Sequence, residues 1–288
     1  MSSSRFSLAE RFAIKVRQQL YKYRTNAPFL SGDGFAELCD LRLEDEIQIS
    51  HTDIKEFEGR HIFCRSDLVP LLLKKMKGQV RGKLLIAGNS DFDFEDMPKG
   101  LLDCFESAIL QNSMVSNDKV IFTLPIGVEN LSYGMNGLPR NLVSTANWNA
   151  RLPKVLVGPF SPTHDVRRNL LEVSRHSRDC DVIDELRGGP ALYAELVIRY
   201  RFVACPRGNG IDTHRFWESL YRGAVPVVKK SLWSTSLKTY GLPFLEVDEW
   251  SESEFSRVVE LEGLGFKPSE ISALWLDYWK ERFLARAI

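Results

Sequence analysis

The sequence predicts an α/β protein of two lobes, each a parallel sheet covered by helices, with a cleft between them. Three observations carry this expectation. Short apolar runs alternate with helix-length segments in two successive series, the pattern of strands joined by crossover helices. The 288 residues exceed one small core and suit two lobes of ordinary size. Between the series, the stretch around residues 131–153 ("SYGMNGLPRNLVSTANWNARLP") is rich in Gly, Asn, Pro and Ser and lacks periodicity, as a linker does. The expected division is therefore residues 1–150 and residues 151–288, the second lobe ending in a closing helix.

The N-terminal "MSSSRFSLAERFAIKVRQQLYKYR" reads as an amphipathic helix carrying Arg5, Arg11, Lys15, Arg17, Lys22 and Arg24 against one acid, Glu10. Such a helix docks by one face on its own domain, or lies on an anionic membrane surface as a peripheral contact. Charge interrupts its apolar residues too often for a signal-peptide core. No stretch approaches the roughly 20 apolar residues of a membrane span, so a cytoplasmic protein is expected.

Next, "FLSGDGFAELCDLRLEDE" supplies a Gly-rich turn, a short helix and an acidic stretch. "HIFCR" reads as a strand, and "SDLVPLLLKKMKGQ" as a helix capped by Ser66 or Asp67. "GKLLIAG" is a strand, "GLLDCFESAILQNS" a helix and "KVIFTLPIGVEN" a strand. The second series opens with the strand "KVLVGPFS" and continues with helices "DVRRNLLEVSRHS" and "GPALYAELVIRY". Strand "RFVACP", helix "THRFWESLYR", strands "AVPVV" and "PFLEV" and helix "SESEFSRVVELEG" follow. The tail "PSEISALWLDYWKERFLARAI" forms a final amphipathic helix, with Trp275, Tyr278 and Trp279 packing it onto the first lobe.

Composition narrows the function. Forty-four per cent hydrophobic and 26% charged residues make a soluble globular chain, and zero net charge gives nucleic acid no support as a partner. Five scattered cysteines without C-x-x-C spacing point to reduced thiols, not a disulfide framework or a cysteine zinc site. No G-x-S-x-G or G-x-x-x-x-G-K-[ST] motif anchors a hydrolase or P-loop reading.

The chemistry concentrates in "CPRGNGIDTHRFWESLYRGAVPVV", residues 205–228. An apolar strand runs into a turn whose Gly208 and Gly210 permit unusual backbone conformations and close ligand approach. Asp212 or Thr213 caps the next helix, whose N-terminus favours an anion. Arg207, His214 and Arg215 surround that point, and arginine suits bidentate contact with phosphate oxygens. Glu218, further along, either accepts hydrogen bonds from ribose hydroxyls or pairs with Arg215 and Arg222. "GNGIDT" lacks the third glycine of a dinucleotide fingerprint, and the following strand ends in Lys229 and Lys230, so nicotinamide binding is not expected.

This segment resembles the donor-binding segment of exostosin-type glycosyltransferases, and more loosely that of fucosyltransferases. Those families place a strand, a Pro/Gly loop, an R-x-x-E helix and a G-x-x-P-V strand in succession. "FCRSDLVP", "LLIAGNSDFD" and "LPIGVEN" also resemble segments of exostosin-like proteins. The resemblance implies the GT-B fold of two Rossmann-like lobes, a nucleotide-sugar donor on the second lobe, and a glycan or lipid-linked acceptor on the first. It implies further that Glu218 contacts the ribose and that Arg207 and Arg215 contact the pyrophosphate. The nucleotide sugar is a substrate, and no other cofactor is expected.

Ser161, Thr163, Arg167 and Arg168 in "GPFSPTHDVRR" lie where a second strand-to-helix turn meets the cleft, able to help hold the diphosphate or to form a solvated helix face. Transfer needs a base for the acceptor hydroxyl. Asp67, Asp91, Asp93 and Glu129 fall near strand ends in the first lobe, and Asp91 and Asp67 rank ahead of Glu129. "DFD" at 91–93 matches a metal-binding D-x-D, but a two-lobed arrangement suits that use poorly, and no metal is expected. A non-catalytic nucleotide- or glycan-binding module of the same fold is the alternative.

Overall fold

The computed structural model describes residues 16, 24–115, 117, 120–133, 137–142, 146–186 and 189–284. The basic N-terminal helix expected over residues 1–24, and with it the membrane contact, lies almost wholly outside them. No helix among the described residues is long and apolar enough to cross a membrane.

Two five-stranded parallel sheets dominate. The first contains Leu41–Leu43 (β1), His61–Arg65 (β2), Gly82–Gly88 (β3), Phe105–Gln111 (β4) and Ile121–Leu124 (β5), in chain order. The second contains Leu152–Val157 (β6), Cys180–Val182 (β7), Tyr200–Ala204 (β8), Val225–Lys229 (β9) and Leu245–Val247 (β10), ordered β10-β9-β8-β6-β7. After β6 the chain adds β7 on one side and then crosses to β8 on the other. The loops leaving β6 and β8 therefore diverge, which opens a crevice at their C-terminal ends.

Strand alternation divides the first sheet cleanly. Leu85, Ala87, Ala108 and Leu110 face the helix Val69–Met76 with its Leu72 and Met76. Leu84, Ile86 and Ile109 face the opposite way, into a cluster holding Phe35, Trp279 and Phe283 together with second-lobe residues such as Trp217 and Tyr221. The helix Leu276–Leu284 thus closes the first sheet: Trp279 is fully buried, with Phe35 6.1 Å and Tyr240 4.6 Å away between ring centroids. One apolar core runs through both lobes, so the cleft walls are held by burial as well as by chain connectivity.

Several local expectations are corrected. Only Leu101–Cys104 of "GLLDCFESAILQNS" is helical; residues 105–111 form β4. Paired on both edges, β4 is buried continuously from Ala108 to Gln111, and periodicity does not separate such a short run from a buried helix. Neither Ser66 nor Asp67 caps a helix. They begin a 3-10 turn, and the Asp67 carboxylate accepts two hydrogen bonds from Arg65, at 2.7 and 2.9 Å. The acidic stretch contains β1 and a helix, Glu46–His51, which Asp45 and Gln48 cap reciprocally. The short strand β7 and the helix Leu232–Lys238 went unrecognised, and the final helix begins only at Leu276 after two 3-10 turns.

Candidate functional site

A cleft of about 520 Å³ opens at the C-terminal ends of β6 and β8, where the strand order reverses. Ser161, Thr163 and Arg167 line it from the β6 loop and helix, and Gly208, Gly210, Asp212, Thr213, His214, Arg215 and Glu218 from the β8 turn and helix. Asp91 and Ile126 reach it from the first lobe, and Tyr193 from the helix Gly189–Val197. Four sequence candidates lie elsewhere. Arg168 pairs with Asp165 and is 71% exposed, Asp67 is held by Arg65, and Glu129 stands away from the lining. Arg207 turns towards the first lobe, where its guanidinium pairs with Asp93 and donates to Asn209 O at 3.1 Å.

The glycine-rich turn is clamped by the tips of the first sheet. Asp91 Oδ2 accepts from Asn209 Nδ2 at 2.9 Å, and Asp93 Oδ1 accepts from the Ile211 amide at 3.1 Å. Asn112, at the end of β4, accepts from the Asp212 amide at 2.9 Å. These contacts explain the glycines differently from the sequence expectation. Neither Gly208 nor Gly210 adopts a positive φ. A Cβ on Gly210 would sit 2.5 Å from Asn112 Nδ2, and one on Gly208 would sit 2.6 Å from an Arg167 Nη. A side chain at either position would displace the Asn112 or Arg167 side chain that packs against the turn.

Asp212 also departs from the capping role. Thr213 is the N-cap residue and makes no side-chain cap bond, while the Asp212 carboxylate is buried. It accepts from the Ile126 amide at 2.9 Å and from Trp217 Nε1 at 3.0 Å. Burial pushes its pKa from 3.8 up to about 7, despite those hydrogen bonds. A carboxyl that holds its proton more tightly when folded contributes stability in full below about pH 4. That contribution is lost as pH rises towards 7 and amounts to a few kcal/mol. Urea unfolding of Asp212→Asn is therefore expected to show a flatter fall in stability between pH 4.5 and 7.5 than the parent. Parallel profiles would remove Asp212 as the cause.

Two guanidiniums dominate the electrostatics. Arg167 donates to Arg207 O at 2.9 Å and Ser161 O at 3.1 Å; Arg215 donates to Gly158 O at 2.9 Å and Pro159 O at 2.5 Å. Both use backbone carbonyls, and among the described residues neither has a carboxylate partner. Burial, then the charge of Arg215, press Arg167 down to about 10, so it remains cationic at neutral pH. Arg215 also lies over the rings of Phe160 and Tyr193, 4.7 and 4.9 Å from their centroids. Two guanidiniums in one cleft, neither in an ion pair with a carboxylate among the described residues, have the charge and donor geometry that suit an anion with several oxygens.

The remaining polar groups are sharply oriented. His214 Nδ1 lies 2.8 Å from Gly127 O, and because a carbonyl only accepts, that nitrogen carries hydrogen and leaves Nε2 as the free ring position. Glu218 is buried with Arg222, whose Nη1 donates to Oε2 at 3.1 Å; Arg215, the other expected partner, does not engage it. Tyr193, which no motif marks inside "GPALYAELVIRY", is buried, and burial pushes its hydroxyl up to about 12, keeping it protonated. Asp91 and Asp93 diverge to separate partners, and no three His, Cys, Asp or Glu side chains gather among the described residues.

No family model matches the chain. Among solved structures it is similar to AviGT4, a glycosyltransferase involved in avilamycin A biosynthesis, at 11% identity and a TM-score of 0.40, covering 86% of this chain and 97% of that one. It is also similar to an alpha1,3-fucosyltransferase at 12% identity and a TM-score of 0.41, covering 80% of this chain and 79% of that one. Residue roles in this chain rest on its own geometry.

Proposed function

We propose that the chain is an exostosin-like GT-B glycosyltransferase that moves a sugar from a nucleotide-sugar donor to a hydroxyl of a glycan or lipid-linked acceptor. In this reading residues 151–288 hold the donor and residues 1–150 the acceptor. The carrying observation is the pair Arg167 and Arg215, unneutralised at the switch-point cleft, with a first-lobe carboxylate on the same cleft.

The chemistry follows from that placement. The donor diphosphate lies against Arg167 and Arg215, with the start of the helix His214–Tyr221 beside it. The acceptor oxygen attacks the anomeric carbon as the bond to the diphosphate oxygen breaks. The diphosphate departs with that electron pair, and the two fixed guanidiniums offset its growing charge without reorganising. The acceptor proton passes to Asp91. The fixed cations meet the electrostatic demand that a metal ion meets in other transferases.

A thermal-shift panel of UDP, GDP and CMP tests the reading. At about 100 times its Kd, the matching nucleotide is expected to stabilise the chain by about 2.7 kcal/mol. Arg215→Ala is expected to remove that shift. A panel in which no nucleotide moves the parent's midpoint sinks the proposal. Binding without transfer or donor hydrolysis would identify the module reading instead.

A further inference from the structure

In the cleft lining, the Tyr193 hydroxyl and Glu218 Oε1 have no hydrogen-bond partner among the described residues. The Tyr193 hydroxyl is buried, with no hydrogen-bond partner among the described residues, although its residue lines the cleft and is only 9% exposed. At Glu218, Arg222 holds Oε2, while Oε1 accepts no hydrogen bond among the described residues. Buried hydroxyls are seldom left without a protein, water or ligand partner, and this one belongs to a residue that lines the cleft, where a ligand is able to supply it.

The charges sort the two ends of the cleft. Arg167 and Arg215 bid for the diphosphate. The Glu218 carboxylate repels phosphate and accepts from neutral N–H or O–H donors. Tyr193 stands beside both, its ring under Arg215 and its hydroxyl within the electrostatic reach of Glu218. We propose that the Tyr193 hydroxyl binds the nucleoside part of the nucleotide through a direct hydrogen bond, beside the Glu218 carboxylate that the family resemblance already assigns to the ribose. This rests on the reading of the cleft as a nucleotide site and adds a recognition residue on the helix Gly189–Val197. The hydroxyl donates to or accepts from the nucleoside, while the ring keeps Arg215 in place for the diphosphate.

Tyr193→Phe separates these roles, because it removes one oxygen and keeps the ring that Arg215 stacks on. Isothermal titration of parent and variant, both as the full chain, uses three probes: UDP, GDP and inorganic pyrophosphate. The variant is expected to bind the preferred nucleoside diphosphate roughly tenfold more weakly and pyrophosphate as the parent does. Its ligand-free melting midpoint is expected to equal or exceed the parent's, since an unsatisfied buried hydroxyl has gone. Equal nucleotide affinity in both proteins overturns the inference and leaves the nucleotide site standing. An equal loss for pyrophosphate also overturns it, because Tyr193 would then act only by positioning Arg215. A parent that binds neither UDP nor GDP overturns the underlying reading together with the inference.

Discussion

Asp91→Asn is expected to lower sugar transfer by about 10²–10⁴-fold while leaving nucleotide affinity unchanged. Of the three ranked first-lobe carboxylates, only Asp91 lines the cleft. It is exposed there, and among the described residues its hydrogen bond is the one from the Asn209 amide to Oδ2, which leaves the other oxygen available to a hydroxyl. Asp67 is held by Arg65, chiefly through hydrogen bonding, and its pKa lies below the ordinary carboxylate value, which makes it a poor proton acceptor. Asp67→Asn is accordingly the control and should retain most transfer. Single-turnover measurement with bound donor separates the chemical step from binding. Parent-like turnover in Asp91→Asn would assign the base elsewhere, and the free Nε2 of His214 would be the next candidate.

Removing one member of the Glu218–Arg222 pair is expected to destabilise the fold by about 3–5 kcal/mol. Arg222 is 1% exposed and Glu218 6% by side chain, so water cannot compensate the charge left behind. Arg222 also donates to Asn141 O at 3.0 Å, which ties the end of its helix to the segment between the sheets. Glu218→Ala therefore reports on folding as well as on ligand binding, and loss of nucleotide affinity in that variant alone assigns no contact. The double variant Glu218→Leu with Arg222→Met removes both charges and is expected to recover most of the stability. Nucleotide binding should stay impaired, because the free Oε1 is also gone. Chemical denaturation with a double-mutant cycle measures the coupling. Near-additive single effects would show that the pair does not act as a unit.

The second lobe was the more legible half. Strands β6, β8, β9 and β10 and the helices Asp165–His176, Gly189–Val197 and His214–Tyr221 all stand where the alternating pattern places them. Each strand is short and apolar and bounded by turn residues, and each helix has the 3.6-residue period. Residues 105–111 failed this test because burial on both faces erases the period that distinguishes strand from helix. The candidate anion site was legible for the same local reason. Arg215, His214 and the start of their helix are neighbours in sequence, so their proximity needs no tertiary information.

Contacts across the chain were not legible. Nothing in "PRGNG" says that Arg207 turns to Asp93, 114 residues away, while Arg167 lines the cleft. Gly210 looks like a residue chosen for conformation, yet it is fitted to Asn112. Tyr193 reads as one more apolar helix position, and only the packing of Arg215 and Arg222 around its ring shows that it forms the cleft floor.

Local chemistry alone settles that this is a two-sheet α/β chain with a glycine- and arginine-rich strand-to-helix turn in its second half, because periodicity and helix termini are properties of adjacent residues. Long-range packing decides which arginines face the cleft, which carboxylate opposes them and which polar atoms stay unsatisfied. Those outcomes depend on burial and on competition among distant partners, whose separations exist only in the folded chain.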